Sequence, residues 1–412
     1  MRVLWFANTF PPGYTGGAEV STIHTVRGLI QQGIECLVCV LRNRESEGID
    51  EWYAVDGLQV HRILTTLRRG RNSVNDVFDV TLYRCALNEL RRYQPDIVHI
   101  ANVSGSSLAP FLACRKLGIP VVNTLHDLWL LCANNMLYRA NGEFCDLRKS
   151  KNGCSQCLRK YDYWGSIPWR RKIFAALTSN VNAFVSPSQA LIDRHVEYGY
   201  ERSRFRLIRY GIEVSAVHKP KDPSLTQILR TSNRWNTLVF GGGGVEIKGA
   251  KVVLAAISSL LARIRNLRII VAGDGNLIDR FKAFGPRVLT LGRADYNDMP
   301  SLFSSADLVL VPSVWHENLP IVIYESFQQG TPVVGSNVGG IPEIVEPDKT
   351  GYLIDAGKPE QLVDAVVRHF ETTPVQQREM RRNCYTSVMR RFGYERHIEQ
   401  TVSLYRELLA DP

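Results

Sequence analysis

Short apolar runs alternate with longer amphipathic ones along the first half of the chain. Val3–Ala7 is apolar throughout and is followed by an amphipathic stretch from Ala18 to Gln32. The alternation continues through Cys36–Leu41, a helical stretch over Val80–Tyr93, Ile97–Ile100, a second helix near Ser107–Leu117, Val121–Leu125 and Val181–Val185. Apolar strands of roughly five residues separated by helices predict a parallel sheet covered on both faces. A polar stretch around Glu213–Ser232, with the run Lys219-Pro220-Lys221-Asp222-Pro223, reads as surface polypeptide near a join. The pattern then restarts with Leu238–Phe240, Lys251–Ile264, Arg268–Ala272, Ile278–Phe284, Val288–Leu291, Leu308–Val311, Glu325–Gln329 and Pro332–Val334.

The fold class expected is α/β, with two Rossmann-like doubly wound domains. Residues 1–200 form the first, with a cysteine-rich insertion near 130–160, and residues 201–390 form the second. A closing helical segment, 391–412, packs on either one, or back on the N-terminal domain. Sheets of this kind bind ligands beyond the carboxyl ends of their strands, so two facing domains would enclose an interdomain cleft.

Composition adds little except sign. The chain has 412 residues, with 45% hydrophobic and 22% charged positions, as in an ordinary soluble globular protein. No apolar run approaches the ~18–20 residues needed to span a bilayer, so a cytoplasmic location is expected. The net charge of +10 favours acidic partners. Arg68-Arg69-Gly70-Arg71, Arg91-Arg92 and Arg170-Arg171-Lys172 read as solvated faces or as a basic patch for peripheral association with the inner face of a membrane. Sparse aromatics among them and the absence of a nucleic-acid motif argue against nucleic acid as a partner.

Glu317 and Glu325 stand eight residues apart in the run HENLPIVIYESFQQGTPVV, between a strand and a helix. A helix start offers unpaired N–H groups and partial positive charge, which suits a phosphate. Carboxylates on either side of it suit the hydroxyls that flank a phosphate in a nucleotide linked to a sugar. Gly16-Gly17, between the first strand and a helix, is either a turn or a place where the backbone approaches a diphosphate or acceptor. Gly241–Gly244, followed by Lys248-Gly249, holds the same place in the second domain, where Lys248 can meet a diphosphate as a point charge.

The glycine loops fail the G-x-G-x-x-G fingerprint, and Ala250 stands where a P-loop needs lysine. His126-Asp127 follows Val121–Leu125, where the imidazole would donate to a sugar hydroxyl or simply pack. Ser186 and Ser188 follow Val181–Val185 and read as caps of the next helix or as part of a site.

Of nine cysteines, Cys36, Cys39, Cys85, Cys114 and Cys384 sit in apolar or helical runs and read as core. Cys132, Cys145, Cys154 and Cys157 share the insertion. They would close a structural zinc, form a redox-sensitive pair or remain plain thiols.

The ordered series of these motifs resembles the retaining glycosyltransferases of family 4, with the GT-B architecture. The Gly-Gly loop, His126, FVSPSQ over Phe184–Gln189, Lys248-Gly249, Gly273-Asp274-Gly275, Leu291-Gly292-Arg293, the Glu317/Glu325 pair, Gly339–Glu343 and Gly351-Tyr352-Leu353 cover nearly the whole chain in that family's order.

The resemblance implies a sugar moved from a nucleotide-diphosphate donor (a UDP-, GDP- or ADP-sugar) to a saccharide or lipid-linked acceptor, with no cofactor needed for catalysis. The first domain would face the acceptor and the second would bind the donor. It implies Glu317 near the anomeric carbon, Glu325 on the ribose hydroxyls, His126 on the donor sugar and Lys248 at the diphosphate. The N–H groups of Asn318, Leu319, Ile321 and Val322 would also hold the diphosphate, with Gly16 and Gly17 approaching from the first domain. Gly242, Gly243, Gly273 and Asp274 would line the donor, and Gly292 and Arg293 would frame the base.

One departure stands out: the arginine usual before the lysine falls at Gly243. Lys248 then acts alone, another basic residue substitutes, or the enzyme is impaired. A nucleotide-sugar epimerase and a non-catalytic nucleotide-sugar-binding partner are the rival readings.

Overall fold

In the computed structural model the described residues are 1–12, 16–44, 48–66, 76–103, 107–139, 141–148, 157, 170–211, 213, 223–231 and 234–410. The chain divides into two compact units, Met1–Gly211 with Tyr394–Pro412, and Ile212–Gly393.

The first unit is built on eight strands: β1 (Arg2–Ala7), β2 (Glu35–Arg44), β3 (Ile49–Val55), β4 (Leu58–Thr66), β5 (Ile97–Ile100), β6 (Val121–Thr124), β7 (Ala183–Ser186) and β8 (Phe205–Leu207). Their order is β3-β4-β2-β1-β5-β6-β7-β8, and all pairs are parallel except β3 with β4. Leu4 and Phe6 pack into one hydrophobic cluster while Val3, Trp5 and Ala7 pack into another. This explains why β1 shows no polar alternation: both of its faces are covered.

The sequence reading missed the β3–β4 hairpin. Its signal was the Asp56-Gly57 pair, and both residues take positive φ (50° and 81°), as a two-residue turn between twisted strands requires. The helix Tyr394–Ala410 belongs to this unit. Tyr405 shares a hydrogen bond with His99 Nδ1, and His397 Nδ1 donates to the Arg209 carbonyl at 2.8 Å.

The second unit carries six strands: β9 (Asn236–Phe240), β10 (Leu267–Ala272), β11 (Val288–Gly292), β12 (Leu308–Val311), β13 (Val333–Ser336) and β14 (Gly351–Ile354). The order is β11-β10-β9-β12-β13-β14, all parallel. This is the doubly wound arrangement in which the chain leaves the central strand first one way and then the other. The polar stretch before β9 is not all surface polypeptide: it contains the helix Pro223–Arg230, and Leu225 is buried.

Of the basic clusters, Arg91 and Arg92 stay exposed, and Lys172 does too, whereas Arg170 is drawn inside the first unit. Arg92 pairs with the buried Glu89 and lies over the Trp52 ring. Arg170 is itself buried, donates to the Trp129 carbonyl at 2.9 Å and stacks on Phe174, so it is core rather than a solvated face. Arg68, Arg69 and Arg71 lie outside the described residues.

Candidate functional site

β9 and β12 are neighbours whose connections run to opposite sides, so the loops beyond their carboxyl ends flank the switch point of the second sheet. One loop holds Lys248 and the other Glu317, and the Val314 N–H donates to the Ile247 carbonyl at 2.9 Å to tie the two together. Lys248 Nζ donates to Glu317 Oε1 at 2.7 Å. The same oxygen accepts from Ser313 Oγ at 2.8 Å and from Trp315 Nε1 at 2.9 Å. The Lys248 ammonium also lies 5.3 Å from the centre of the Trp315 ring.

Glu317 is 6% exposed and Lys248 40%, so the carboxylate is sequestered while its cation reaches the surface. A buried carboxylate is tolerable only when paired and hydrogen-bonded, as this one is. Behind it, Gly340 N–H donates to the Glu317 carbonyl at 3.0 Å. A Cβ on Gly339, whose φ is +55°, would stand 1.9 Å from that carbonyl oxygen. The Gly339-Gly340 pair is therefore a close backbone approach that fixes the Glu317 loop.

The glycine run after β9 has a similar origin. Gly243 N–H donates to the Ala272 carbonyl at 3.0 Å, Gly244 N–H to Asp274 O at 3.1 Å, and Gly273 N–H to Gly292 O at 2.6 Å. Three consecutive loops are thus stitched backbone to backbone. Gly243 has φ +54°, and a Cβ there would lie 2.4 Å from the Asp274 carbonyl oxygen and 2.6 Å from Gly273 C. No side chain fits at Gly243 with this backbone, so an arginine there would require the stitched loops to part. Of the four glycines, Gly241 alone would give a Cβ an ordinary contact, 3.5 Å from Val322 Cγ2. One on Gly242 would press on Phe240 and Lys248, and one on Gly244 would strike the backbone at Ile278.

Beyond Glu317 the chain enters the helix Ile321–Gln328 from Pro320, a cap position without a side-chain acceptor for the first N–H groups. Asn318 and Val322 are half-buried, and Leu319 and Ile321 are buried. Glu325 is half-buried in the second turn of this helix. Asp274 and Arg293 are exposed, and Gly292 adjoins Arg293 at the end of β11. The second unit therefore brings Lys248 and Glu317 into contact and stitches the loops of Gly243, Gly273, Asp274 and Gly292 together. Ser313 and Trp315 were missed by the sequence reading. Strand periodicity gave no signal for them, because the chain turns here, with the Glu317 N–H donating to the Trp315 carbonyl at 2.8 Å.

In the first unit Gly16 caps the helix Gly17–Gln31, and its N–H donates to Glu19 Oε2 at 2.8 Å; Gly17 is the first helical residue. His126 Nδ1 shares a 2.8 Å hydrogen bond with the hydroxyl of Tyr210, whose ring stacks on the imidazole. Burial pushes the His126 pKa down to about 4, so the ring is neutral near pH 7. Burial raises Asp127 to about 6, against the pull of the Trp129 N–H and the Asn135 amide that it accepts. Ser188 caps the helix Gln189–Glu197, accepting from Leu191 N–H at 3.2 Å, so the capping reading holds for it.

The cysteine cluster is not arranged as a metal site among the described residues. No group of three or more His, Cys, Asp or Glu there is placed to hold an ion. Cys132 donates to Asn134 Oδ1, and Asn134 Nδ2 donates to Cys157 Sγ at 3.1 Å, so an amide sits between these two sulfurs. Burial raises the Cys132 thiol to about 11. Cys145 packs against the core, and Cys154 lies outside the described residues. Among the described residues no helix is long and apolar enough to cross a membrane.

Comparison with known proteins matches both halves of the chain. Residues 15–216 match the family described as Glycosyltransferase Family 4, and residues 225–387 match Glycosyl transferases group 1. A D-inositol 3-phosphate glycosyltransferase of Rhodococcus opacus is 24% identical over 375 residues, covering 86% of this chain and 78% of that protein. Among solved structures, Anabaena HepE in complex with UDP and glucose superposes with a TM-score of 0.72 at 17% identity, over 99% of this chain and 100% of that one. Sucrose-phosphate synthase of Thermosynechococcus elongatus gives 0.72 at 17% identity, over 100% of both chains. These likenesses establish the fold as GT-B. With adjoining family matches spanning most of its length and glycosyltransferases among its relatives, the chain belongs to the group 1, family 4 glycosyltransferases and is a sugar-transferring enzyme.

Proposed function

We propose that the chain transfers a sugar from a nucleoside diphosphate donor to a hydroxyl of a saccharide or lipid-linked acceptor, with the anomeric configuration retained. The observation that carries this reading is the Lys248–Glu317 pair at the switch point of the second sheet. Of the three N–H donors on the Lys248 ammonium, one goes to Glu317, which leaves two to neutralise diphosphate oxygens as the leaving group departs. Glu317 takes a hydroxyl of the transferred sugar, and Glu325 takes the ribose hydroxyls. The N–H groups of Asn318, Leu319, Ile321 and Val322 complete the diphosphate cradle. In the first unit His126, oriented by Tyr210, hydrogen-bonds a sugar hydroxyl.

One structural relative, HepE, described with UDP, with UDP and glucose, and with UDP-glucose, supports a uridine donor in particular. Relatives named for D-inositol 3-phosphate support a polyol or saccharide hydroxyl as the acceptor.

The test is release of nucleoside diphosphate from a panel of UDP-, GDP- and ADP-sugars. Proton NMR of the sugar product follows, where the anomeric coupling reports configuration. Release with the donor's configuration kept is expected. An inverted product would remove retention, and epimerised donor without release would favour the epimerase reading. Silence across the whole panel would remove the donor assignment.

A further inference from the structure

We infer that Ser313 and Trp315 are positioning residues: they act through Glu317, locking one carboxylate oxygen so that the other meets the transferred sugar. The inference deepens the proposed function and rests on it. Three donors converge on Oε1 alone: Lys248 Nζ at 2.7 Å, Ser313 Oγ at 2.8 Å and Trp315 Nε1 at 2.9 Å. The indole has a single N–H and the hydroxyl a single O–H, and each is spent on this oxygen. Neither donor then has a hydrogen left for a ligand, so neither side chain acts as a direct donor to substrate.

The geometry of these contacts explains what the residues are for. The carboxylate can rotate about its final torsion unless one oxygen is held, and sp³–sp² torsions of this kind are broad. Fixing Oε1 from three directions leaves Oε2 with one orientation, which is what a site reading a sugar hydroxyl needs. Ser313 is fully buried and Trp315 half-buried, so both donors work where competition from water is weak. The same lock also holds the Lys248 ammonium in place, because that cation shares Oε1 and lies over the Trp315 ring. With no arginine at Gly243, a single well-placed ammonium matters more than it would beside a second cation.

The test is a pair of double-mutant cycles on the full chain. Trp315→Phe keeps the ring and removes the N–H; Ser313→Ala removes the hydroxyl. Each is measured alone and combined with Glu317→Gln, by hydrolysis of whichever UDP-, GDP- or ADP-sugar the wild type cleaves fastest, and folding is checked by melting temperature. The expected result is a fall in kcat of about tenfold for each single variant, with KM for the donor within about twofold. Added to Glu317→Gln, either substitution should slow the enzyme no further, because its effect passes through that carboxylate.

Multiplicative losses would overturn the inference, showing that the two residues act independently of Glu317. So would a rise in KM at constant kcat, which marks direct contact with the donor. A wild type that cleaves no nucleotide sugar would sink the proposed function and this inference with it, whereas cleavage with multiplicative losses sinks the inference alone.

Discussion

Gly243→Ala isolates the claim that the glycine run after β9 is dictated by backbone packing. The substitution adds one carbon where φ is +54°, a left-handed conformation that costs an L-residue about 1–2 kcal/mol. That carbon would lie 2.4 Å from the Asp274 carbonyl oxygen and 2.6 Å from Gly273 C, both backbone atoms that cannot swing aside. Forcing the stitched loops apart adds a further cost of about 1–3 kcal/mol. Together these give about 2–5 kcal/mol, or a fall in melting temperature of roughly 5–15 °C for a unit of this size.

Gly241→Ala is the control. Its Cβ would meet only Val322 Cγ2 at 3.5 Å, and it should melt within about 2 °C of wild type. Differential scanning calorimetry of the three proteins decides the matter. A Gly243→Ala protein melting within a degree of wild type would refute the packing argument. Gly243→Arg should carry the same penalty, so restoring charge at that position should not improve turnover.

Other outcomes follow from the same contacts. Glu325→Ala should weaken donor binding about tenfold by calorimetry, whereas Glu317→Ala should slow turnover about a hundredfold with little change in KM; equal kinetics for both variants and wild type would contradict the roles assigned. Burial pushes His126, His195, His369 and His397 down to about 4, so the unfolded chain binds more protons than the folded one between pH 6.5 and 4. Their stabilisation is complete above about pH 6.5 and is lost as pH falls towards 4, opposed only partly by Asp127, whose raised pKa of about 6 acts with the other sign. Urea midpoints should therefore drop steadily from pH 7 to pH 4.5, and a flat profile would be contrary. Tyr405→Phe removes the hydroxyl partner of His99 Nδ1 beneath the C-terminal helix and should cost about 1–3 kcal/mol in urea unfolding, with no change in donor affinity.

The strands of both sheets were readable because central parallel strands are covered on two faces and so appear as unbroken apolar runs. Ile97–Ile100 and Leu308–Val311 fall where their apolar runs do. Elements that depart from that pattern were missed. β3 alternates half-buried with exposed residues at a sheet edge, and β8 has only three residues. Sheet order was not readable at all, because adjacency of β9 and β12 depends on which side each crossover takes.

The site followed the same division. Lys248 and Glu317 were legible as separate candidates, but their direct pairing required that adjacency. The Gly241–Gly244 run looked like a ligand loop, yet Gly243 and Gly244 are accounted for by neighbouring backbone and Gly242 by the side chains of Phe240 and Lys248. Arg170 shows the limit of reading charge from a run, since burial, a carbonyl acceptor and an aromatic ring make a core residue of it. Tyr210, the partner of His126, offered no signal in its own stretch of sequence.

Hydrogen–deuterium exchange with and without the cleaved nucleotide sugar tests the central claim most directly, since it reads the backbone amides said to hold the diphosphate. The account predicts strong protection across Asn318–Glu325 and over Gly241–Gly249 on adding donor, much reduced in Lys248→Ala. Donor binding that leaves both segments unprotected, or protects them equally without Lys248, would contradict it.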